Sequence, residues 1–443
     1  MELTIEKLIY GGEGLAHLPA DERGKGKAVF VPFVLPGERV EGTIVENKPG
    51  FARASLEKIL EPAPGRAAPG CPYFTECGGC QYQHISYPQQ LQSKMEILRE
   101  TLRRIAKIDI PGEIALHPSE PWNYRNRARM QVRHEPEFAL GYYRFASHEL
   151  LPVRECPISS QLINRALAKL WALGEAGKVP AAITEIEFFA DADDSALLLE
   201  LTLPGELRDA QPAWKELADF ARSVRQHVPE IAGVVPFHAA SGKPDSLPRP
   251  IKIPKEHAPS FGAEALKYRT KSAQYRVAAG SFFQANRFLV DEMVNLVTGD
   301  RSGGFALDMY AGVGLFSLAL AKNFRQVAAV ESAPASFRDL KSNAPPNVRA
   351  YQVAAHRFLA EVPPETRFDY VVVDPPRGGL GENAAMAAAK LKAPQFTYVS
   401  CDPATLARDL RVMTRAGYRI TRVHLLDLFP QTFHIETVVQ LEL

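Results

Sequence analysis

Hydrophobic and polar positions follow three different rhythms along the chain. Over residues 1 to about 60 the apolar runs are short, as in Leu3–Leu8, Ala28–Val34 and Arg39–Val45. Gly11-Gly12, Gly14 and Pro36-Gly37 separate them. This spacing predicts strands joined by tight turns, and a five-stranded barrel suits the length. A Pro/Ala/Gly stretch, Pro62–Pro69, follows as a linker. Pro88–Lys107 then carries Leu91, Met95, Leu98, Leu102 and Ile105 at helical spacing, which predicts one helix with a buried stripe. From Trp122 to Arg133 the pattern alternates again. As a strand it puts Arg125, Arg127, Arg129 and Arg133 on one face. Helices near 159–173 and 212–227 and strands near 183–190 and 196–203 fill the middle. Lys243–Pro259, rich in proline and lysine, reads as a loop. The last third alternates buried strands with helices, the mark of a parallel α/β sheet. Three domains are expected, over 1–60, 61–265 and 266–443, with the helix at 88–107 free to pack on the third.

Composition narrows the class. The chain has 443 residues, 46% hydrophobic and 23% charged, with a net charge of +1. That is ordinary for a globular protein and advertises no global basic field. A nucleic-acid partner must be met by local patches. Arg23, Lys25, Lys27, Lys48, Phe51 and Arg53 are candidates in the barrel, with a merely solvated turn and edge as the alternative. The four arginines of 125–133 are a second patch able to track phosphates, or else a solvated face with acidic neighbours. No apolar run approaches the roughly 18 residues that span a membrane. The N-terminus lacks a basic region followed by an apolar core, so a cytoplasmic location is expected.

The five cysteines divide four and one. Cys71, Cys77 and Cys80 form a compact triplet, and Cys156 is followed by Pro157. Four thiolates suit tetrahedral zinc or an iron–sulfur cluster, and the isolated Cys-Pro after a triplet favours the cluster. Cys401 stands apart, after the buried run Phe396–Val399 and before Asp402-Pro403 and a helical stretch to Met413. Asp402 is a good N-cap and Pro403 fits the first turn. The positive helix end should ease ionisation below the usual value of about 8.5, with Asp402 opposing. An inert packed cysteine is the alternative.

Other strand ends carry acids. Gly304–Leu320 reads as strand, glycine loop and helix, with Asp308, Tyr310, Gly312 and Gly314 at the turn. Glu331 ends the next strand, where a carboxylate holds ribose hydroxyls of nucleotide-like ligands. Ser317 stands where a dinucleotide fingerprint would have its third glycine, so an S-adenosylmethionine site fits better than a pyrophosphate site. Asp374 ends a further strand. Asp308, Glu331, Asp374 and Cys401 thus converge where open parallel sheets bind ligands.

Ser281-Phe282-Phe283-Gln284-Ala285-Asn286, Asp374-Pro375-Pro376-Arg377, Ser400-Cys401-Asp402-Pro403 and Phe429-Pro430-Gln431-Thr432-Phe433-His434-Ile435-Glu436-Thr437 follow in order. With them the chain resembles the S-adenosylmethionine-dependent RNA uracil-5-methyltransferase family over nearly its whole length. Its first 58 residues resemble that family's RNA-binding TRAM barrel, and its cysteines the [4Fe-4S] branch. The resemblance implies an α/β Rossmann-like methyltransferase domain behind the barrel and a β-rich α+β domain carrying the cluster. It implies cofactor contacts at Gln284, Tyr310, Glu331 and Asp374, beside Asp308 and Gly312 of the glycine loop. Cys401 would be the nucleophile and Glu436 the base, with Cys71, Cys77, Cys80 and Cys156 on the cluster. Two departures stand out: Leu315 replaces a polar residue after the loop, and Ala355-His356 occupies the place of the adenine-reading acid or amide.

The chemistry also stands on its own. Carbon 5 of uracil is a poor nucleophile until a thiolate adds at carbon 6, and a base must then remove the carbon 5 proton. Carbon 6 is inaccessible in helical RNA, so the base must be flipped out or lie in a loop, where Phe282 or Phe283 can stack on it. Ribosomal RNA is the favoured substrate over tRNA, and a monomer without an obligate protein partner is expected. A non-catalytic RNA-binding iron–sulfur sensor and a small-molecule methyltransferase are the alternatives from other classes.

Overall fold

A computed structural model describes residues 1–19, 26–110, 112–204, 214–239 and 249–443. Arg23, Lys25, the start of the expected 212–227 helix and part of the expected 243–259 loop lie outside them. Alternating burial builds the N-terminal barrel around Leu3, Ile5, Ala16, Val29, Val31, Val40, Ala52 and Ala54. Its strand order is Glu2–Thr4, Arg39–Asn47, Phe51–Glu61, Ala28–Pro32, Glu13–His17, Lys7–Leu8. The first and last are halves of one bent strand, bridged by Ile5 and Glu6, which bond to Glu38 and Leu15. The sheet therefore closes on itself with five strands and no free edge. Of the candidate cations among the described residues, Lys48 pairs with Glu46 at 3.0 Å, and Arg53 with Glu13 and Glu46 at 3.1 and 2.9 Å.

The middle of the chain forms a seven-stranded sheet, ordered Leu150–Pro152, Ala139–Tyr143, Arg127–Arg133, Glu185–Ala190, Leu197–Leu203, Ile231–His238, Arg249–Pro250. One face buries the helices Gln161–Glu175 and Trp214–His227 through a core that includes Ile163, Leu167, Leu170, Phe188, Leu199 and Val224. The other face lays Phe189, Leu198, Val235 and Phe237 against the C-terminal region.

The expected arginine face breaks up in the structure. Arg127 and Arg129 do share a strand face, but the neighbouring strands oppose them with carboxylates. Arg127 lies 2.9 Å from Glu187 and 3.6 Å from Glu200, and Arg129 lies 2.5 Å from Glu187 and 3.5 Å from Glu185. Arg125 precedes the strand and turns into the cavity lined by the four cysteines. Arg133 is exposed and stands without such a pairing among the described residues. Arg127 and Arg129 are thus answered by acids of the same sheet, and the four do not share one open cationic face.

The C-terminal sheet has eight strands: Val348–Gln352, Phe324–Glu331, Gly303–Met309, Tyr370–Val373, Gln395–Ser400, Glu436–Glu442, Arg419–Leu426, Ala115–His117. The first five are mutually parallel, and Glu436–Glu442 runs antiparallel to both its neighbours. The last strand comes from far upstream and adds parallel to Arg419–Leu426. The helix Tyr87–Thr101 joins this unit too: Leu98 and Leu102 share a core with Leu406, Leu410 and Met413. Its stripe differs from the expected one. A π-turn over Leu102–Ala106 slips the register, burying Ala106 and leaving Ile105 38% exposed. No helix among the described residues is long and apolar enough to cross a membrane.

Candidate active site

The reacting groups of the site are delivered by strand ends. Gln395–Ser400 stops at Cys401, and Asp402 caps the next helix by accepting from the amides of Ala404 and Thr405 at 3.0 and 2.8 Å. The capped helix, Pro403–Arg415, is therefore rigid from its first turn. Ser400 pairs with Thr437, so the residues one step beyond, Cys401 and Glu436, meet across the same end of the sheet. Asp374 follows Tyr370–Val373, and Glu331 ends Phe324–Glu331. A single cavity of about 580 Å³ is lined by Gln284, Tyr310, Gly312, Glu331, Asp374, Cys401 and Glu436. Arg377, Phe282, Phe429 and His434 complete its rim and wall. The volume lies within the range of about 300–1,000 Å³ usual for small-molecule sites.

The cofactor half fits a nucleoside-bearing ligand. Gly312 and Gly314 have φ of +57° and +98°, which a side chain would strain, and a Cβ on Gly312 would meet nothing within 4 Å. The loop thus presents open backbone to the cavity. Glu331 accepts from the amides of Gly312 at 2.9 Å and Ala333 at 2.6 Å, which fixes its carboxylate at the cavity wall. Gln284 donates to Asp374 at 3.4 Å. Leu315 lines the cavity, whereas His356 is exposed and away from it. Asp308 departs from expectation: it is wholly buried behind the loop and accepts from the Ser317 hydroxyl at 2.5 Å. It braces the loop and does not line the cavity.

Two further expectations change. Phe283 lines the cavity but is only 2% exposed, packed among Phe189, Tyr268 and Tyr275. Phe282 is 62% exposed at the rim and is the available platform. The Cys401 thiol is pushed up to about 12, not down. Burial is the largest cause, and the Glu436 and Asp374 carboxylates add to it, while Arg377 opposes. Desolvation and two nearby acids both disfavour the thiolate. Burial likewise raises Asp374 to about 7 and holds Glu436 well above the usual carboxylate range, with Asp374 adding to the latter.

The segment before Glu436 is held from several sides. Lys94 donates to the Phe429 carbonyl at 3.0 Å and Tyr124 to that of Pro430 at 3.0 Å. The amides of Gln81 and Tyr82 both donate to the Gln431 carbonyl, at 3.1 and 2.9 Å. Gln90 bonds the Gln431 amide and side chain, each at 3.0 Å. These contacts hold Gln431 at φ +68°, an uncommon conformation for this residue. Lys94 also pairs with Asp427 at 2.6 Å, both side chains fully buried. His434, driven down to about 3 by burial and then by Arg377, is neutral and accepts from Arg377 at 3.3 Å. Lys94, Gln90 and Tyr124 carried no motif in the sequence; only their partners on a remote loop reveal them.

Cys71, Cys77, Cys80 and Cys156 line a second cavity of about 210 Å³, together with Arg125, Arg129 and Tyr142. Among the described residues, no group of three or more His, Cys, Asp or Glu side chains is placed to hold a metal ion. The structure thus brings the four cysteines together at one cavity, beside the Arg125 side chain.

Carboxylates and an open glycine loop at the carboxyl ends of a parallel sheet make this a Rossmann-like enzyme with a nucleoside-ligand site. Residues 86–443 match the tRNA (uracil-5-)-methyltransferase family, and residues 1–56 match the TRAM domain. A 23S rRNA (uracil(1939)-C(5))-methyltransferase RlmD of Vibrio parahaemolyticus is 30% identical, covering 99% of this chain and 95% of the relative. An RNA methyltransferase of Aquifex aeolicus of uncharacterized specificity is 34% identical over 100% and 98% of the two chains. The tRNA (uracil-54, C5)-methyltransferase of Pyrococcus abyssi, solved with S-adenosyl-L-homocysteine, shares the fold at a TM-score of 0.75 and 24% identity, each chain covered completely. The chain belongs to the RNA uracil-5-methyltransferase family and is an S-adenosylmethionine-dependent RNA (uracil-C5)-methyltransferase.

Proposed function

We propose that the enzyme methylates carbon 5 of a uridine in 23S rRNA through a covalent bond between Cys401 and carbon 6. The observation that carries this reading is the meeting of Cys401 and Glu436 across one strand register at the wall of one cavity. The rRNA target rests on full-length similarity to enzymes of that specificity; the tRNA enzyme of Pyrococcus supports the fold alone. Gln284, Tyr310, Gly312, Glu331 and Asp374 hold the cofactor, which supplies an electrophilic methyl group. Cys401 forms the bond to carbon 6, and the displaced electron pair makes carbon 5 nucleophilic. The thiol proton passes to the Asp374–Glu436 carboxylates and on to water. Glu436 then takes the carbon 5 proton, and the returning electron pair expels Cys401. Phe282 stacks on the flipped base. The protein acts as a cytoplasmic monomer, with the barrel contacting RNA. Four thiolates of the second cavity hold a [4Fe-4S] cluster, with Arg125 as the cation beside that anion.

Mapping 5-methyluridine in total RNA from a deletion strain tests the target: loss from 23S rRNA is expected, and loss from tRNA alone would reassign it. Glu436→Gln tests the chemistry. It should add and transfer the methyl but stall, accumulating a methylated protein–RNA adduct that survives denaturing electrophoresis. Cys401→Ala should form none. Normal turnover by Glu436→Gln would remove it as the base.

A further inference from the structure

The turn that closes the barrel's first hairpin reaches into the catalytic unit. The Ile9 amide closes it by donating a hydrogen bond to the Glu13 carbonyl at 2.9 Å. At its tip, the Tyr10 hydroxyl donates to the carbonyl of Cys401 at 3.3 Å, across 391 residues of sequence. The Tyr10 ring meets Phe433 edge-on, with centroids 5.4 Å apart and planes at 86°. Phe433 lies three residues before Glu436. Gly12 makes the approach possible: a Cβ there would stand 2.9 Å from Gln81 Cβ and 3.4 Å from the Phe433 ring. One barrel residue therefore touches both segments that carry the catalytic pair. Its phenol keeps its proton, because burial and the Asp402 carboxylate resist ionisation, so it remains a donor.

We infer that Tyr10 is a positioning residue for Cys401, and that the barrel completes the active site as well as contacting RNA. The peptide joining Cys401 to Asp402 leads from the strand into the capped helix, so anchoring it fixes the backbone that carries the Cys401 side chain. The Asp402 cap anchors the helix side of that peptide, and Tyr10 anchors its carbonyl. The phenyl–phenol contact fixes the neighbouring loop at the same time. This inference rests on Cys401 being the nucleophile.

The test uses the full chain with Tyr10→Phe and Tyr10→Ala. Single-turnover adduct formation is followed on total RNA from a deletion strain grown with 5-fluorouracil, and turnover on the same RNA without it. RNA affinity is measured by filter binding, S-adenosylmethionine affinity by calorimetry, and folding by Tm. Tyr10→Phe, which keeps the ring, should slow adduct formation and kcat about 3- to 10-fold, the scale of one hydrogen bond. Both affinities and Tm should stay at wild-type values. Tyr10→Ala should slow both rates further, since the Phe433 contact goes too. Wild-type rates in both variants would overturn the inference. So would weakened RNA binding with unchanged rates at saturation, which would make Tyr10 an RNA contact. If the wild type methylates without a trapped adduct, the covalent reading falls and the inference with it; a trapped adduct together with wild-type rates in both variants overturns the inference alone.

Discussion

The raised Cys401 thiol makes a quantitative claim about the free enzyme. With a midpoint of about 12, roughly one molecule in ten thousand carries the thiolate at pH 8. A free cysteine near 8.5 would be about one-quarter ionised, so the thiolate is depleted roughly 2,000-fold. A more basic thiolate attacks a disulfide faster, and a Brønsted slope of about 0.45 returns roughly 40-fold over that interval. The net expectation is a reaction with 4,4′-dithiodipyridine about 50-fold slower than free cysteine at pH 8. The rate should keep rising with pH beyond 10, because the protonated form is the one stabilised by burial. Subtracting the trace of Cys401→Ala isolates this thiol from the other four. Glu436→Gln should shift the midpoint downward, since the Glu436 carboxylate is the second cause of the rise after burial. A midpoint near or below 8.5 in the wild type would refute the reasoning and return control to the helix terminus.

Lys94→Met should cost about 3–5 kcal/mol, the scale of removing one partner from a buried pair, because Asp427 would be left charged and wholly buried. Urea unfolding followed at the C-terminal unit reads it, and an effect below about 1 kcal/mol would mean that the pair relaxes into water. Glu331→Ala should weaken S-adenosylmethionine binding by about 1–3 kcal/mol, the range for a hydrogen bond to a charged group; unchanged calorimetric affinity would remove Glu331 from the site. Anaerobically purified protein should be brown with about four irons per chain. Stoichiometric zinc without iron would refute the cluster.

Local pattern by itself determined much of this protein. Alternation and glycine turns specified a closed barrel, because period-two burial and tight turns are local properties. The strand–loop–helix rhythm placed Glu331, Asp374 and Cys401 at carboxyl strand ends, and a parallel sheet must gather such ends on one edge. The ordered motifs pointed to the family. What could not be read locally was the environment of each side chain. Arg127 and Arg129 looked like a phosphate track until the opposing strands supplied Glu185, Glu187 and Glu200. Phe282 and Phe283 are equivalent in sequence, yet one lies on the rim and the other in the core. Cys401 sits at a helix N-terminus as expected, but its ionisation is set by burial and by acids brought from distant strands. Lys94, Gln90 and Tyr10 act on segments more than 300 residues away. Desolvation and charge pairing depend on distance in space, and only the tertiary fold sets that distance.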